Sequence, residues 1–181
     1  MFHVSSTRVS AAELSDGSEV EIRPITPDDR AGLTAGFERL SELSRYRRFL
    51  SPTSHLSARQ LAYLTDVDHH DHEALVAIDP SSRDGLAVAR YVRSAQDPME
   101  AEFAVAVADD WQRVGLASRL MRELITAAAA RGLQRMEGFV LASNGPMLGL
   151  AHRLGFSLHA DPHDSTVVVV SFDLAASPPP S

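Results

Sequence analysis

The 181-residue chain contains no cysteine. That absence excludes a structural disulfide, a thiolate zinc site and a cysteine-linked acyl intermediate, and it suits a reducing compartment. Long apolar runs are missing too. Nothing approaches the roughly 20 residues that a membrane-crossing helix needs, and the amino terminus lacks the basic segment and apolar core of a signal peptide, so a cytoplasmic location and no membrane partner are expected. Basic charge is scarce: 17 Lys and Arg face 24 Asp and Glu, for a formal net charge of −7. This argues against nucleic acid as a partner and weakly in favour of a cationic one. No internal repeat is visible. The Gly-x-x-x-x-Gly-Lys-Ser/Thr sequence of nucleotide phosphate loops is absent, and no lysine lies near Gly115.

What is present reads as one globular domain. Hydrophobic residues make up 44%, and a chain this long buries roughly two thirds of its unfolded surface without metal or disulfide support. Residues 1–18 have no sustained period and read as a flexible lead-in. Residues 19–174 carry the elements. Residues 175–181, with three consecutive prolines, read as a disordered tail.

Glu19 to Ile25 alternates as a half-exposed strand does. Thr26-Pro27-Asp28-Asp29 is a helix start, with a capping hydroxyl, a proline suited to the first turn and two carboxylates against the positive helix end, so a helix from about Pro27 to Leu40 is expected. Further short helices span Ser44 to Leu50 and Ser57 to Thr65. Arg45, Arg47 and Arg48 cluster between them, either as a solvated face or as a site for phosphates or an acidic partner. Asp66 to Glu73 holds three imidazoles and four carboxylates, but consecutive residues seldom supply a coordination shell with its supporting partners. It reads as a solvated turn, and no metal is expected. Glu73 to Asp79, Leu86 to Ser94 and Met99 to Ala108 read as an antiparallel meander. Leu116 to Arg131 has one apolar stripe and stops at Gly132. Leu133 to Ala142 reads as a strand, a helix follows Pro146, and the β-branched run Thr166 to Leu174 reads as a doubly covered strand closing the sheet.

The junction from Glu102 to Ala117 is a strand, a turn and a helix start. Amides in the first turn of a helix have no partner within it and lie at the positive end of its dipole, which makes this an anion site. Gly115 and Ala117 are small enough for close approach, and Arg113 and Arg119 would add charge. The run Gln112-Arg113-Val114-Gly115-Leu116-Ala117 resembles the pyrophosphate-binding signature, Gln/Arg-x-x-Gly-x-Gly/Ala, of the GNAT superfamily of N-acetyltransferases. A second block resembles the superfamily as well: Asn144-Gly145-Pro146-Met147 opens a short helix that ends at Gly155-Phe156.

The resemblance implies an α/β (α+β) fold: a mixed, mostly antiparallel sheet of six to seven strands, splayed centrally and flanked by helices, with acetyl-CoA in the opening. Its pantetheine arm would pair near Val105 and Val107. Gln112, Arg113, Val114, Gly115, Leu116, Ala117 and Ser118 would bind the pyrophosphate, and Asn144 would reach the coenzyme from the other wall. The Ala-Glu-Phe-Ala strand and the second block look most like the catalytic domain of bacterial protein-lysine acetyltransferases. The acceptor implied is therefore a protein lysine, with small amines or amino acids close behind. A CoA-binding module without catalysis is the rival from another class. A monomer and a homodimer are both compatible.

The chemistry sets one requirement. A lysine-like amine with a pKa of about 10.4 carries its lone pair in only about one molecule in a few thousand at neutral pH, so a base must take the proton. Glu102, ten positions before Gln112 and close to where the resemblance to protein-lysine acetyltransferases implies a catalytic glutamate, is the candidate, with Glu100 in reserve; burial against apolar strands would raise its pKa. Where many members have a tyrosine to protonate the leaving thiolate, this chain has Ala151, and no general acid can be named. Direct transfer in a ternary complex follows.

Overall fold

A computed structural model describes residues 9–176. In chain order these form β1 (Ser10–Glu13), β2 (Glu19–Pro24), a 3-10 turn over Pro27–Asp29 that runs into α1 (Arg30–Arg39), α2 (Glu42–Phe49), α3 (Ala58–Thr65), β3 (His72–Ile78), β4 (Gly85–Arg93), β5 (Glu100–Val107), a second 3-10 turn at Asp109–Trp111, α4 (Leu116–Ala130), β6 (Arg135–Leu141), α5 (Gly145–Leu154), β7 (Ser157–Ala160) and β8 (Val167–Asp173). Local chemistry explains the helix starts. Ser41 and Ser57 cap α2 and α3 by accepting from the amides of Ser44 and Gln60, and the Gln60 side chain returns to the Ser57 amide.

All eight strands form one sheet in the order β1-β2-β3-β4-β5-β6-β8-β7. Every neighbouring pair is antiparallel except β5 with β6. Alternation along the strands sorts two cores. Leu75, Ala77, Ala87, Ala89, Tyr91 and Phe103 pack with α4 and α5. Ala74, Val76, Ile78 and Val88 face the other way, where α1, α2 and α3 lie. The stripe expected on α4 is the centre of the first core: Leu116, Leu120, Met121, Leu124, Ile125 and Ala128 are all buried. Each large side chain buried there contributes about 1.5–3 kcal/mol relative to exposure.

Three expectations need correction. The sheet has eight strands, not six or seven. The lead-in is structured from Ser10, where β1 pairs with β2, the Ser10 hydroxyl donates to Glu123 and the Ser15 amide donates to the Val114 carbonyl. Its Ser-Ala-Ala-Glu sequence carries little strand propensity, so tertiary hydrogen bonds decide its state. The run at β8 does not close the sheet, because exposed β7 pairs outside it, and Val169 and Ser171 are only partly covered. Of the proline-rich tail, residues 177–181 lie outside the described residues, as do residues 1–8 of the lead-in.

The feature that positions the site is where β5 and β6 stop pairing. They are bonded over three positions only: Glu100 with Arg135, Ala101 with Met136 and Glu102 with Glu137. Just beyond, the ring of Phe103 occupies the space where a side chain at residue 138 would stand. A Cβ added to Gly138 would come within 2.7 Å of that ring. Phe103 is held in turn against Phe156, and Phe156 against Phe172, at centroid separations of 5.1 and 5.0 Å. An aromatic wedge and a glycine thus sit at the vertex of the splay.

Candidate active site

From Phe103 to Val107, β5 keeps β4 on one edge and has no strand on the other. This opens a cavity of about 680 Å³ between β5 and β6. Its walls are Phe103 to Val107 on one side and Gly138 to Val140 with α5 on the other; the start of α4 closes one end, and α2 runs along the cavity from Ser44, beside Gln112, to Arg48, near Glu102. Among the expected coenzyme residues, Val105, Val107, Gln112, Arg113, Gly115, Ala117, Ser118 and Asn144 line it. Val114 and Leu116 do not. Val114 packs against the core, and Leu116 is 1% exposed.

The start of α4 is shaped by two left-handed residues, Arg113 at φ 68° and Gly115 at φ 91°. Glycine takes the second without steric cost. No side chain caps this helix. Among the described residues the amides of Arg113 through Ser118 find no acceptor, and the first that does is Arg119, on the Gly115 carbonyl. The result is a run of uncommitted donors at the positive helix end, facing a cavity.

Gln112 has a bracing part. Its Nε2 donates to the Val107 carbonyl at 3.3 Å and to Asp109 at 3.2 Å. Asp109 accepts from the Ser44 hydroxyl at 2.7 Å, which ties this turn to α2. Burial works to raise the Asp109 carboxyl, but the bonds from Ser44 and Ser41 outweigh it and hold the pKa below its usual value. Arg119, expected to add charge at the site, is instead paired along the helix with Glu123 at 2.9 Å.

On the opposite wall, the Asn144 side-chain oxygen accepts from the Met147 amide at 3.4 Å and so caps α5. The residue still lines the cavity beside Pro146, Met147, Leu150 and Arg153. Ala151 is 1% exposed and packed in the core, and no tyrosine is among the lining residues.

Glu102 is in the last bonded pair before the strands part, beside Glu137. Its neighbours Ala101 and Phe103 are buried in the α4 core, so its own side chain emerges on the α2 and α3 side, where it is exposed. The burial expected to tune it is therefore not found. Glu100 shares that face and is already ion-paired with Arg135.

That side also holds the cations whose roles the sequence left open. Arg45 turns away and donates to the carbonyls of Phe37, Glu38 and Ser54. Arg47 and Arg48 line the cavity instead. In mid-β4, opposite Ala104, Arg90 is 4% exposed and donates through Nη1 to the Leu64 carbonyl and to His72 Nε2, each at 3.1 Å. Burial, and then the nearby Arg90 charge, push His72 down to about 4, so its imidazole is a neutral acceptor at pH 7.

The rest of the histidine-rich turn is occupied by itself. The Asp68 carboxylate accepts from the amides of His70, Asp71 and His72, and Glu73 holds His69 Nδ1 at 2.7 Å, raising the His69 pKa.

The sequence reading missed Leu40 at the end of α1, Ser44 in the first turn of α2, and Gly138 to Val140 with Leu150 and Arg153 on the second wall. Gly138 carried a usable signal, since a glycine inside an otherwise apolar strand marks a close approach.

Comparison with known proteins agrees with this geometry. The model of the acetyltransferase (GNAT) family matches residues 41–156. An acetyltransferase of Pseudomonas aeruginosa is 36% identical over 159 residues, covering 86% of this chain and 84% of that protein. The crystal structure of the GNAT domain of PAT from S. lividans superposes with a TM-score of 0.85 at 31% identity, covering 91% of this chain and 96% of that one. Acetyltransferase Pat of Mycolicibacterium smegmatis is 36% identical over 146 residues, 79% of this chain but only 43% of Pat, so this chain spans less than half of that relative.

Proposed function

The chain belongs to the GNAT family of acetyl-CoA-dependent acetyltransferases, and from that premise we propose that it moves acetyl groups onto a primary amine, a protein lysine first of all, with Glu102 as general base. The observation that carries the reading is the run of uncommitted amides at the start of α4, opening onto a cavity whose β5 wall begins at Phe103, with Glu102 one residue outside the lining in the last bonded pair of the splay.

In this reading the Arg113 to Ser118 amides bind the diphosphate, and the free edge of β5 at Val105 and Val107 pairs with the pantetheine arm. Gln112 braces the turn, and Asn144 bounds the opposite wall. Acetyl-CoA supplies the activated thioester. Glu102, directly or through water, takes the proton that an ammonium must lose before its nitrogen can attack. Its exposure leaves it open to an incoming side chain. With no tyrosine at residue 151, solvent protonates the departing thiolate, whose pKa of about 8.5 makes it a tolerable leaving group. The likeness to the PAT domain supports a protein lysine over a small amine. A single domain over residues 19–174, extended by β1, and a cytoplasmic setting belong to the same proposal.

The test is acetyl transfer from labelled acetyl-CoA to a panel of lysine peptides and small amines, by wild type and Glu102→Gln. The chain is well suited to it: all 17 of its basic residues are arginines, so no lysine of its own can take up label. Transfer to peptides that is lost in Glu102→Gln supports the reading. Tight CoA binding with no transfer by either protein identifies a binding module instead.

A further inference from the structure

Buried arginines are ordinarily matched to carboxylates, because a desolvated charge without a counter-ion is costly. Of two neighbouring arginines near Glu102, Arg90 is buried and Arg48 half-buried, and neither is so matched. Arg90 is 4% exposed, and its Nε and Nη2 are fully buried without a hydrogen-bond partner among the described residues. Its Nη1 is satisfied only by neutral acceptors, the Leu64 carbonyl and the His72 imidazole. Arg48 lines the cavity, stacks over the Phe49 ring at 4.8 Å and forms no ion pair or hydrogen bond among the described residues.

The two guanidiniums lie near enough to oppose each other. Burial, and then the Arg48 charge, push Arg90 down to about 9. Burial also lowers Arg48, against the favourable pull of Glu102 and Tyr63. At about 9, Arg90 is cationic at neutral pH. Ala104, which pairs with Arg90 across β4 and β5, lines the cavity, whereas Arg90 itself lies behind the lining. The exposed Tyr63 ring lies 5.1 Å from that of His72. Such a pair is poor structural design and good anion-site design.

We infer that Arg48, with the Arg90 charge behind it, forms an acceptor subsite for a carboxylate carried close to the reacting amine. This deepens the acetyltransferase reading and rests on it. Two sources share the chemistry: the α-carboxylate of a free amino acid, and an acidic side chain beside a protein lysine. A planar carboxylate can take two parallel N–H bonds from one guanidinium, a geometry that a lysine in either place would not offer.

The test uses the full chain and matched acceptors. One arm compares lysine peptides that differ only in a Glu or a Gln next to the target lysine, and the other compares free lysine with lysinamide. Wild type is expected to favour the carboxylate-bearing member of at least one arm by about tenfold or more in kcat/KM. The arm that discriminates names the source. In Arg48→Gln the ratio should collapse towards one, while Arg48→Lys should keep part of it. A structural role for Arg48 would lower both members alike and leave the ratio standing.

A second readout needs no chemistry: calorimetry of CoA-loaded protein with the Glu and Gln peptides carrying acetyl-lysine. Discrimination in binding without turnover would overturn the role of Glu102 and leave the subsite intact. Equal rates and equal binding in both arms for wild type would overturn the subsite while transfer itself stands.

Discussion

The two ends of the cavity are built from different materials. At the α4 end the groups that face a ligand are backbone amides, displayed by a left-handed turn and kept clear by Gly115, Ala117 and Ser118. Towards the C-terminal part of α2 they are side chains, Arg47 and Arg48, with Arg90 and Glu102 near Arg48 but outside the lining. Backbone donors are fixed by the fold and recognise what every reaction of the family shares. Side chains can be exchanged without disturbing the helix, so the end that they furnish is where acceptor choice can vary.

Substitutions should separate the two ends. The largest effect is expected from Glu102→Gln: a drop in kcat of about 10² to 10⁴, with the affinity for acetyl-CoA unaltered in calorimetry. An equal loss of coenzyme affinity would mean that the two ends are not independent. Gly115→Val should do the reverse. A β-branched residue at φ 91° costs about 1–2 kcal/mol of backbone strain, and its bulk at the amide cradle should weaken CoA binding at least as much. The preference among acceptors should survive in whatever turnover remains.

Between the ends stands the wedge. Gly138→Ala sets a methyl 2.7 Å from the Phe103 ring, and overpacking of this kind costs about 1–3 kcal/mol. Urea denaturation should register that loss. A variant as stable as wild type would show that the ring shifts easily and does not hold the strands apart.

How much was legible in the sequence follows the same division. The α4 end could be read because everything it needs is local: glycine at a left-handed position, small neighbours and an apolar stripe behind them fall within a dozen residues. The central splay came with the family resemblance, but its physical cause did not. Phe103 and Gly138 are 35 positions apart, and only the register of β5 and β6 brings them together.

The α2 end could not be read. Arg45, Arg47 and Arg48 are equivalent in composition, and the turn of the helix sends one to the α1 carbonyls and two to the cavity. Arg90 would be taken for a polar residue on a strand's wet face, but the α3 carbonyl of Leu64 and the ring of His72 cover it. Strands β1 and β7 escaped notice because four-residue segments with serine and alanine owe their state to their neighbours.

The smallest effect concerns pH. His72 is held near 4 in the folded chain and near 6.5 when unfolded. Below pH 6.5 the unfolded chain takes up a proton that the folded one refuses, so stability falls from about pH 6.5 down to about pH 4 and then levels. The ring is only half-buried, and with solvent screening the loss is on the order of 1–2 kcal/mol. His69 works in the opposite sense. Glu73 raises its pKa, so its contribution is full below pH 6.5 and fades as pH rises through the raised value. Denaturation midpoints from pH 7 to pH 4 should flatten in His72→Gln relative to wild type; parallel curves would remove His72 from the account.

The central claim is that unpaired amides at the start of α4 hold the coenzyme by its diphosphate. Calorimetric titration with acetyl-CoA and with S-acetylpantetheine, which keeps the thioester and arm but lacks every phosphate, tests it directly. Charge-assisted hydrogen bonds are worth about 1.5–3 kcal/mol each, so two of them predict that acetyl-CoA binds at least about a hundredfold more tightly. Equal affinity for the two ligands would contradict the account.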